Sequence, residues 1–591
     1  MEKARGSSPL FRIVCSLFFL ASLAVDAMLL LYAAELIARR NGDGILVWSA
    51  ARPDQLATCV TLLFLLLLSA VSLFPVRRGI RLIHTLALLL FTVSYFKLDY
   101  RGEPLLLTDF FQAKEGIAIA GKLRLFPPWY LILCWAALFV FIPLLFPKKK
   151  LPFPMVPRLC LGAAAAVGFG FGLTRAAAMP LTPSWQYTAL YEYNGFFLGL
   201  LSTRPRQELT RPEDYSRERI FSVLGEADGE GSATPEIRPD IFFVMSESLF
   251  DLASVTDLKM TADPLEGMWA LMEEGIGAEA ITPGYGGGTF YSEYEVLTGY
   301  RSKDTPSRLY YDTEIIRDGM KSVVSALKAQ GYETAALHPN TGMYYNRVRS
   351  YKALGFDRRL FKSELGKFDT YIGPYPSDRD LFAKVLALYE KDRKEDTPHF
   401  YHIVTYQNHG AYGYSYDRKD IRVLNREGEE KNMAENYANA VLTHVEALND
   451  FVDALRESPR PVLLVLWGDH APAVGAFGVK LPVGAATKSK FYTTPLLIWN
   501  NYGARYEWPR KYTPTYRIGA RILYLLGMET DRYDRWLALS DTPDMVTALG
   551  ILEKNGRFYE DRADYDALDA DMKLLHYDRL LGENYAEEAS P

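Results

Sequence analysis

Apolar runs long enough to cross a bilayer crowd into the first third of this 591-residue chain and stop before Pro180. A spanning helix needs roughly 20 mostly apolar residues to cover a hydrocarbon core of about 30 Å. Residues 13–38, 56–74, 82–96, 129–146 and 159–174 meet that demand, the third and fifth with the least margin. The first run is longer than the apolar region of a signal peptide, and further spans follow it, so it reads as a retained helix. The chain is therefore expected to hold about five transmembrane helices over 1–175 and an extracytoplasmic linker over 176–236. A soluble domain with a C-terminal extension then fills 237–591.

Loop charges orient these spans. Lys3, Arg5 and Arg12 precede the first, Arg77, Arg78 and Arg81 follow the second, and Lys148, Lys149, Lys150 and Arg158 follow the fourth. Dense basic loops stay in the cytoplasm. The N-terminus is thus expected inside a bacterial cell membrane, and five spans put the soluble part outside; an even number would reverse that. Asp26 and Glu35 are acids within the first span, where an ionisable residue is a functional candidate. Asp26 is expected to pair with another helix and Glu35 to lie at the interface. The stretch 105–120 reads either as an amphipathic helix on the outer face or as a solvated connector. In the linker, Pro183, Pro205 and Pro212 precede an acidic, glycine-rich stretch at 226–231, and 196–201 is an apolar patch. Ala176, Ala177 and Ala178 resemble a small-residue cleavage site.

The net charge of −5 leaves no basic footprint for nucleic acid. Cys15, Cys59, Cys134 and Cys160 all fall in apolar runs, so the soluble part is built without disulfides or thiolate metal sites.

From Ile237 onward, short apolar runs at 241–245, 334–337, 400–405, 462–466 and 495–499 alternate with helical spacing at 318–330, 380–390 and 434–456. Buried strands separated by helices predict an α/β domain with a mostly parallel central sheet. Ligands of such sheets bind beyond the carboxyl ends of the strands. Here those ends read Met245-Ser246-Glu247-Ser248, His338-Pro339-Asn340, Gln407-Asn408-His409-Gly410 and Trp467-Gly468-Asp469-His470. A single strand-end histidine is ordinarily structural, but four such ends delivering carboxylates and imidazoles to one edge point to a metal site. Glu247, Asp469 and His470 offer mixed oxygen and nitrogen ligands, which suit Mn²⁺, Zn²⁺ or Mg²⁺. Gly286-Gly287-Gly288-Thr289 leads into a helical pattern, and a glycine turn at a helix N-terminus presents backbone N–H groups to an anion. Thr289 there is either a metal-activated nucleophile or an N-cap.

Taken in order, FFVMSES (242–248), GGGTFYSEYEVLTGY (286–300), MYYNRVRSYKALGFD (343–357), TYQNHGAY (405–412) and LWGDHAP (466–472) resemble the lipoteichoic acid synthase family. These are membrane phosphoglycerol transferases of the alkaline-phosphatase/sulfatase superfamily. The resemblance implies one divalent ion, Mn²⁺ before Mg²⁺ or Zn²⁺, held by Glu247, Thr289, Asp469 and His470, with Thr289 as nucleophile. It implies that Arg347 and His409 bind the phosphoglycerol group, with His338 close by. Asn340 and Tyr345 fall where family members carry Asp and Trp around the glycerol pocket, which leaves head group and acceptor open. The implied partners are a phosphatidylglycerol donor, a glycolipid or polyglycerophosphate acceptor and the lipid bilayer, with no nucleic acid. Phosphoethanolamine transferases share the threonine and metal but typically carry disulfides outside the membrane. A sulfatase makes its nucleophile from Cys or Ser in a C/S-x-P-x-R setting, which does not adjoin this glycine turn. A catalytically silent envelope scaffold is the reading of a different class, and metal content separates it from the enzymes.

Overall fold

The computed structural model describes residues 9–39, 42–101, 104–110, 127–179, 187–203, 209–225, 237–304, 316–393, 396–410, 412–482, 484–508 and 510–587. The chain divides into two compact units, 1–206 and 207–591.

The first unit is helical: α1 (Pro9–Arg39), α2 (Pro53–Leu73), α3 (Val76–Arg101), α4 (Trp129–Leu144) and α5 (Met155–Ala177). Among the described residues, four helices, within α1, α2, α3 and α5, are long and apolar enough to cross a membrane. The third and fifth apolar runs of the sequence, the marginal ones, gain length from polar residues that continue the helix. The run at 129–146 instead forms the short α4, about 24 Å long at roughly 1.5 Å per residue. It starts after Pro128 and is π-wound over Ala136–Phe141. Within this wider winding the Leu138 carbonyl lies 2.6 Å from His84 Nδ1 on α3, and His84 Nε2 lies 3.1 Å from Asp26 Oδ1 on α1. One buried imidazole thus ties three helices, and Asp26 has the interhelical partner expected of it.

Glu35 lies one turn from the end of α1. It is buried, accepting from Arg39 Nε at 2.8 Å and from the Phe196 N–H. Phe196 belongs to α6 (Tyr187–Ser202), which breaks at Gly195 with φ of 73°. A Cβ there would lie 2.5 Å from the Trp48 ring and 2.8 Å from Glu35 Oε1, so only glycine lets the chain pass. The apolar patch at 196–201 therefore packs into the helical unit. Ala176 and Ala177 form the last turn of α5. Of the stretch 105–120, Leu107–Phe110 is a 3-10 turn and 111–120 lies outside the described residues, as do the acidic stretch 226–231, Pro183 and Pro205.

In the second unit α7 (Arg217–Leu224) precedes an eight-stranded sheet. Its strands are β1 (Asp240–Ser246), β2 (Ile276–Ile281), β3 (Glu333–Leu337), β4 (Arg358–Leu360), β5 (His399–Val404), β6 (Val462–Gly468), β7 (Thr493–Asn500) and β8 (Tyr512–Pro514). Their spatial order is β8-β2-β7-β6-β1-β5-β3-β4. All neighbours pair in parallel except β7, which is antiparallel to both β2 and β6. β1, β5 and β6 are buried along their whole length, as their unbroken apolar runs require. Two hydrophobic clusters sandwich the sheet. On them lie α8 (Thr289–Thr298), α9 (Arg347–Leu354), α10 (Gly428–Arg456), α11 (Thr515–Leu525) and α12 (Arg562–Leu580).

Candidate active site

Strand register brings the acidic ligands together. Ser246 pairs with Gly468 across β1 and β6, so the next residues out, Glu247 and Asp469, leave the sheet side by side. Gly468 permits the approach, because a Cβ there would sit 2.3 Å from the Leu249 carbonyl oxygen. Ser248 turns into the left-handed region at φ of 50° and donates its N–H to Asp469 Oδ1 at 2.7 Å. Its hydroxyl donates to Glu247 Oε1 at 2.9 Å.

Glu247, Asp469 and His470 are buried, and one ligand atom from each lies within 4.8 Å of the others. His470 Nδ1 is 3.0 Å from the Ala471 carbonyl, which can only accept, so Nδ1 carries the proton and Nε2 a lone pair. That lone pair faces Asp469 Oδ2 at 3.2 Å, Glu247 Oε1 at 3.8 Å and Thr289 Oγ1 at 3.5 Å. Asp469 Oδ2 is buried without a hydrogen bond. Burial and the Asp469 charge both push the Glu247 carboxyl above its ordinary range. Two carboxylates, an imidazole nitrogen and a hydroxyl converging in this way fit a cation of the kind oxygen and imidazole ligands hold.

Thr289 reaches this cluster through the glycine turn. Gly286 N–H donates to the Ala471 carbonyl at 2.9 Å, which pins the turn against the His470 loop. Gly286, Gly287 and Gly288 have φ of 68°, 150° and 96°, a succession closed to residues with a Cβ. The N-cap of α8 is Gly288, and Thr289 is the first helical residue. The capping role open to Thr289 in the sequence is therefore not the one it has here. Its buried hydroxyl points instead to His470.

The five substrate-binding candidates lie around the ends of β3 and β5 and the start of α9. His338 is buried with Nδ1 3.0 Å from the Val404 carbonyl, and burial followed by the Arg347 charge pushes it down to about 3. His409 is half-buried, with Nδ1 against the Gly410 carbonyl, and burial likewise lowers it. Both imidazoles thus keep Nε2 as an acceptor. Tyr345, at φ of 56°, lies with its ring 5.1 Å from the Arg347 guanidinium carbon. Asn340 spends its Oδ1 locally, accepting from Thr341 N–H at 2.8 Å. Arg347, the fifth, is almost fully buried and donates Nε and Nη2 to Glu293 Oε2 at 3.0 and 2.9 Å.

Sequence reasoning missed Glu293, although it stands four residues after Thr289 and so on the same helix face. It also missed a buried relay behind the candidate metal cluster. Ser246 Oγ is 3.2 Å from His444 Nε2, and His444 Nδ1 is 2.8 Å from Asp378 Oδ2. The three copy the hydrogen bonding of a hydrolytic triad, but all are sealed from solvent. They serve to hold the end of β1.

Comparison with known proteins agrees with this architecture. Residues 239–527 match the sulfatase family model. A protein of Rhizobium meliloti (strain 1021) named for cyclic β-1,2-glucan modification is 26% identical over 95% of this chain and 92% of its own length. Lipoteichoic acid synthase 2 of Bacillus subtilis (strain 168) is 23% identical over 36% of this chain and 33% of its own. The Streptococcus pyogenes phosphoglycerol transferase GacH, solved with sn-glycerol-1-phosphate, has the same fold. It superposes with a TM-score of 0.52 at 21% identity, covering 64% of this chain and 96% of that one. Within the second unit, residues 239–527 form a sulfatase-family domain.

Proposed function

We propose that this chain is a membrane-anchored phosphotransferase that moves glycerophosphate from phosphatidylglycerol to an acceptor hydroxyl through Thr289. The observation that carries the reading is the position of Thr289: a buried hydroxyl opening a helix after three glycines, facing Glu247, Asp469 and His470. In the first step Thr289 Oγ attacks phosphorus. The Oγ–P bond forms, the bond from phosphorus to the diacylglycerol oxygen breaks, and that oxygen leaves with a proton. In the second, an acceptor oxygen forms the new P–O bond, its proton departs, and Thr289 is released. A divalent ion bound by Glu247, Asp469, His470 and Thr289 would lower the pKa of the attacking hydroxyl and offset charge on the phosphoryl oxygens. Arg347 orients the phosphoryl group, since a guanidinium binds it with directional N–H bonds. His338 and His409, each with a free acceptor nitrogen, take hydrogen bonds from the glycerol hydroxyls.

The acceptor is a sugar hydroxyl, on a glycolipid or a soluble glycan, or the end of a polyglycerophosphate chain. The name of the relative matched along nearly the whole chain favours the glycan. The soluble unit lies outside the cytoplasm, where the outer-leaflet donor is within reach.

The test uses purified protein with labelled phosphatidylglycerol and no acceptor. Wild type should release diacylglycerol and carry glycerophosphate on Thr289 by mass spectrometry. Thr289→Ala should do neither while staying folded and inserted. Turnover by the alanine variant overturns covalent transfer through Thr289. Release of diacylglycerol from phosphatidylethanolamine alone overturns the head group.

A further inference from the structure

Glu293 stands one turn past Thr289 on α8, and no step above uses it. Its Oε2 accepts from Arg347 Nε at 3.0 Å and Nη2 at 2.9 Å, and its Oε1 lies 3.6 Å from His402 Nε2. The side chains of Glu293 and His402 are 0% exposed and that of Arg347 is 1% exposed. Burial alone would raise the Glu293 carboxyl, but Arg347 and then His402 outweigh it and hold it at about 2. The group is therefore a carboxylate at any physiological pH. The Nε/Nη2 edge of a guanidinium is one of those that match two oxygens of a carboxylate or phosphate. Here that edge is already taken, and the two opposite charges offset each other at contact distance.

A phosphoryl-transfer cycle of the kind proposed above passes only through diesters. The donor, the threonine-bound intermediate and the product each carry one negative charge on phosphorus. A monoester, the product of a wasteful hydrolysis, carries up to two. Arg347 with no counter-charge would favour the dianion, because each added charge is attracted more strongly in a desolvated site.

We propose that Glu293 is a positioning residue that sets substrate class: by holding one edge of Arg347 and offsetting its charge, it leaves a phosphate clamp suited to a monoanionic phosphodiester over a dianionic phosphomonoester. This rests on the reading of the site as one that binds a phosphoryl group.

The experiment compares full-length wild type, Glu293→Gln, Glu293→Asp and Thr289→Ala in detergent, with bis(p-nitrophenyl) phosphate as the diester and p-nitrophenyl phosphate as the monoester. Glu293→Gln removes the charge and should raise the monoester-to-diester ratio of kcat/KM on the order of tenfold, about the effect of one uncompensated charge. Glu293→Asp keeps the charge but shortens the reach. It should slow both esters together and leave the ratio within about twofold of wild type, since only orientation is lost. An unchanged ratio in a folded Glu293→Gln, or an equal rise in Glu293→Asp, overturns the proposal. If the glutamine variant does not fold, a shifted ratio in Glu293→Asp overturns it alone. Failure of the underlying reading looks different: wild type then turns over neither ester, or Thr289→Ala turns over both.

Discussion

At the scale of residues, His338 shows how burial sets chemistry. Its folded form is pushed down to about 3 by burial and by Arg347, while an unfolded histidine titrates near about 6.5. Below that value the unfolded chain takes up a proton that folded His338 refuses. Its contribution is thus whole above about pH 6.5 and is lost as pH falls toward the folded value, at up to roughly 1.4 kcal/mol per pH unit. His338→Asn should flatten the stability curve in that window by about the same slope, as read from urea midpoints at a series of pH values. An identical slope would mean that His338 is protonated in the fold. Residues of this kind were legible because each follows a buried strand. Glu247, His338, His409, Asp469 and His470 could be read from the strand ends alone, and Thr289 from its glycines. Ser248 and Arg347 have partners 221 and 54 positions away in the chain. Such pairings depend on sheet register and helix placement, which local pattern does not carry.

Among elements, the five strands with unbroken apolar runs were readable and the short ones were not. β2 reads IGAEAI, with Gly277 pressed toward Met272, and β4 and β8 have only three residues each. Yet β2 delivers the glycine turn, so the strand hardest to see carries Thr289 to its place. The far end of α8 is fastened by elements past the family match. Gly299, its C-cap, receives the Tyr533 hydroxyl at 2.8 Å, and Tyr533 meets His576 of α12 at 3.0 Å. His576 lies 2.7 Å from Asp304, which pairs with the fully buried Arg301 at 2.6 Å. Burial opposes the Asp304 charge, but Arg301 and His576 hold its carboxyl well below the usual range. Asp304→Asn removes one of two carboxylates from a buried guanidinium, the other being Asp569 at 2.9 Å, and should cost about 1–3 kcal/mol. The measurement is the thermal midpoint of the full chain in detergent, and a midpoint within a degree of wild type would show that α12 does not brace α8.

For the whole molecule, the parity of the spans sets which side of the membrane the soluble unit faces, and α4 decides it. Arg77 at the start of α3 donates Nε and Nη2 to the Phe146 carbonyl at 3.0 and 2.7 Å, and Val76 N–H donates to the Lys149 carbonyl at 3.1 Å. The basic clusters at Arg77, Arg78, Arg81 and at Lys148–Lys150 therefore lie at one end of the helical unit. The positive-inside rule needs that arrangement only if α4 returns across the membrane. Protease added to intact spheroplasts should then digest the chain beyond Gln207 and spare the N-terminus. Protection of the soluble unit would leave α4 unable to cross and remove the outer-leaflet donor. A crossing as short as α4 has a further cost. Its roughly 24 Å falls short of an average hydrocarbon core of about 30 Å. Tilting only shortens the thickness a helix spans, so it cannot close this gap. The bilayer must thin around it, and the protein should gather in lipids with short acyl tails and be squeezed out of thick, ordered patches.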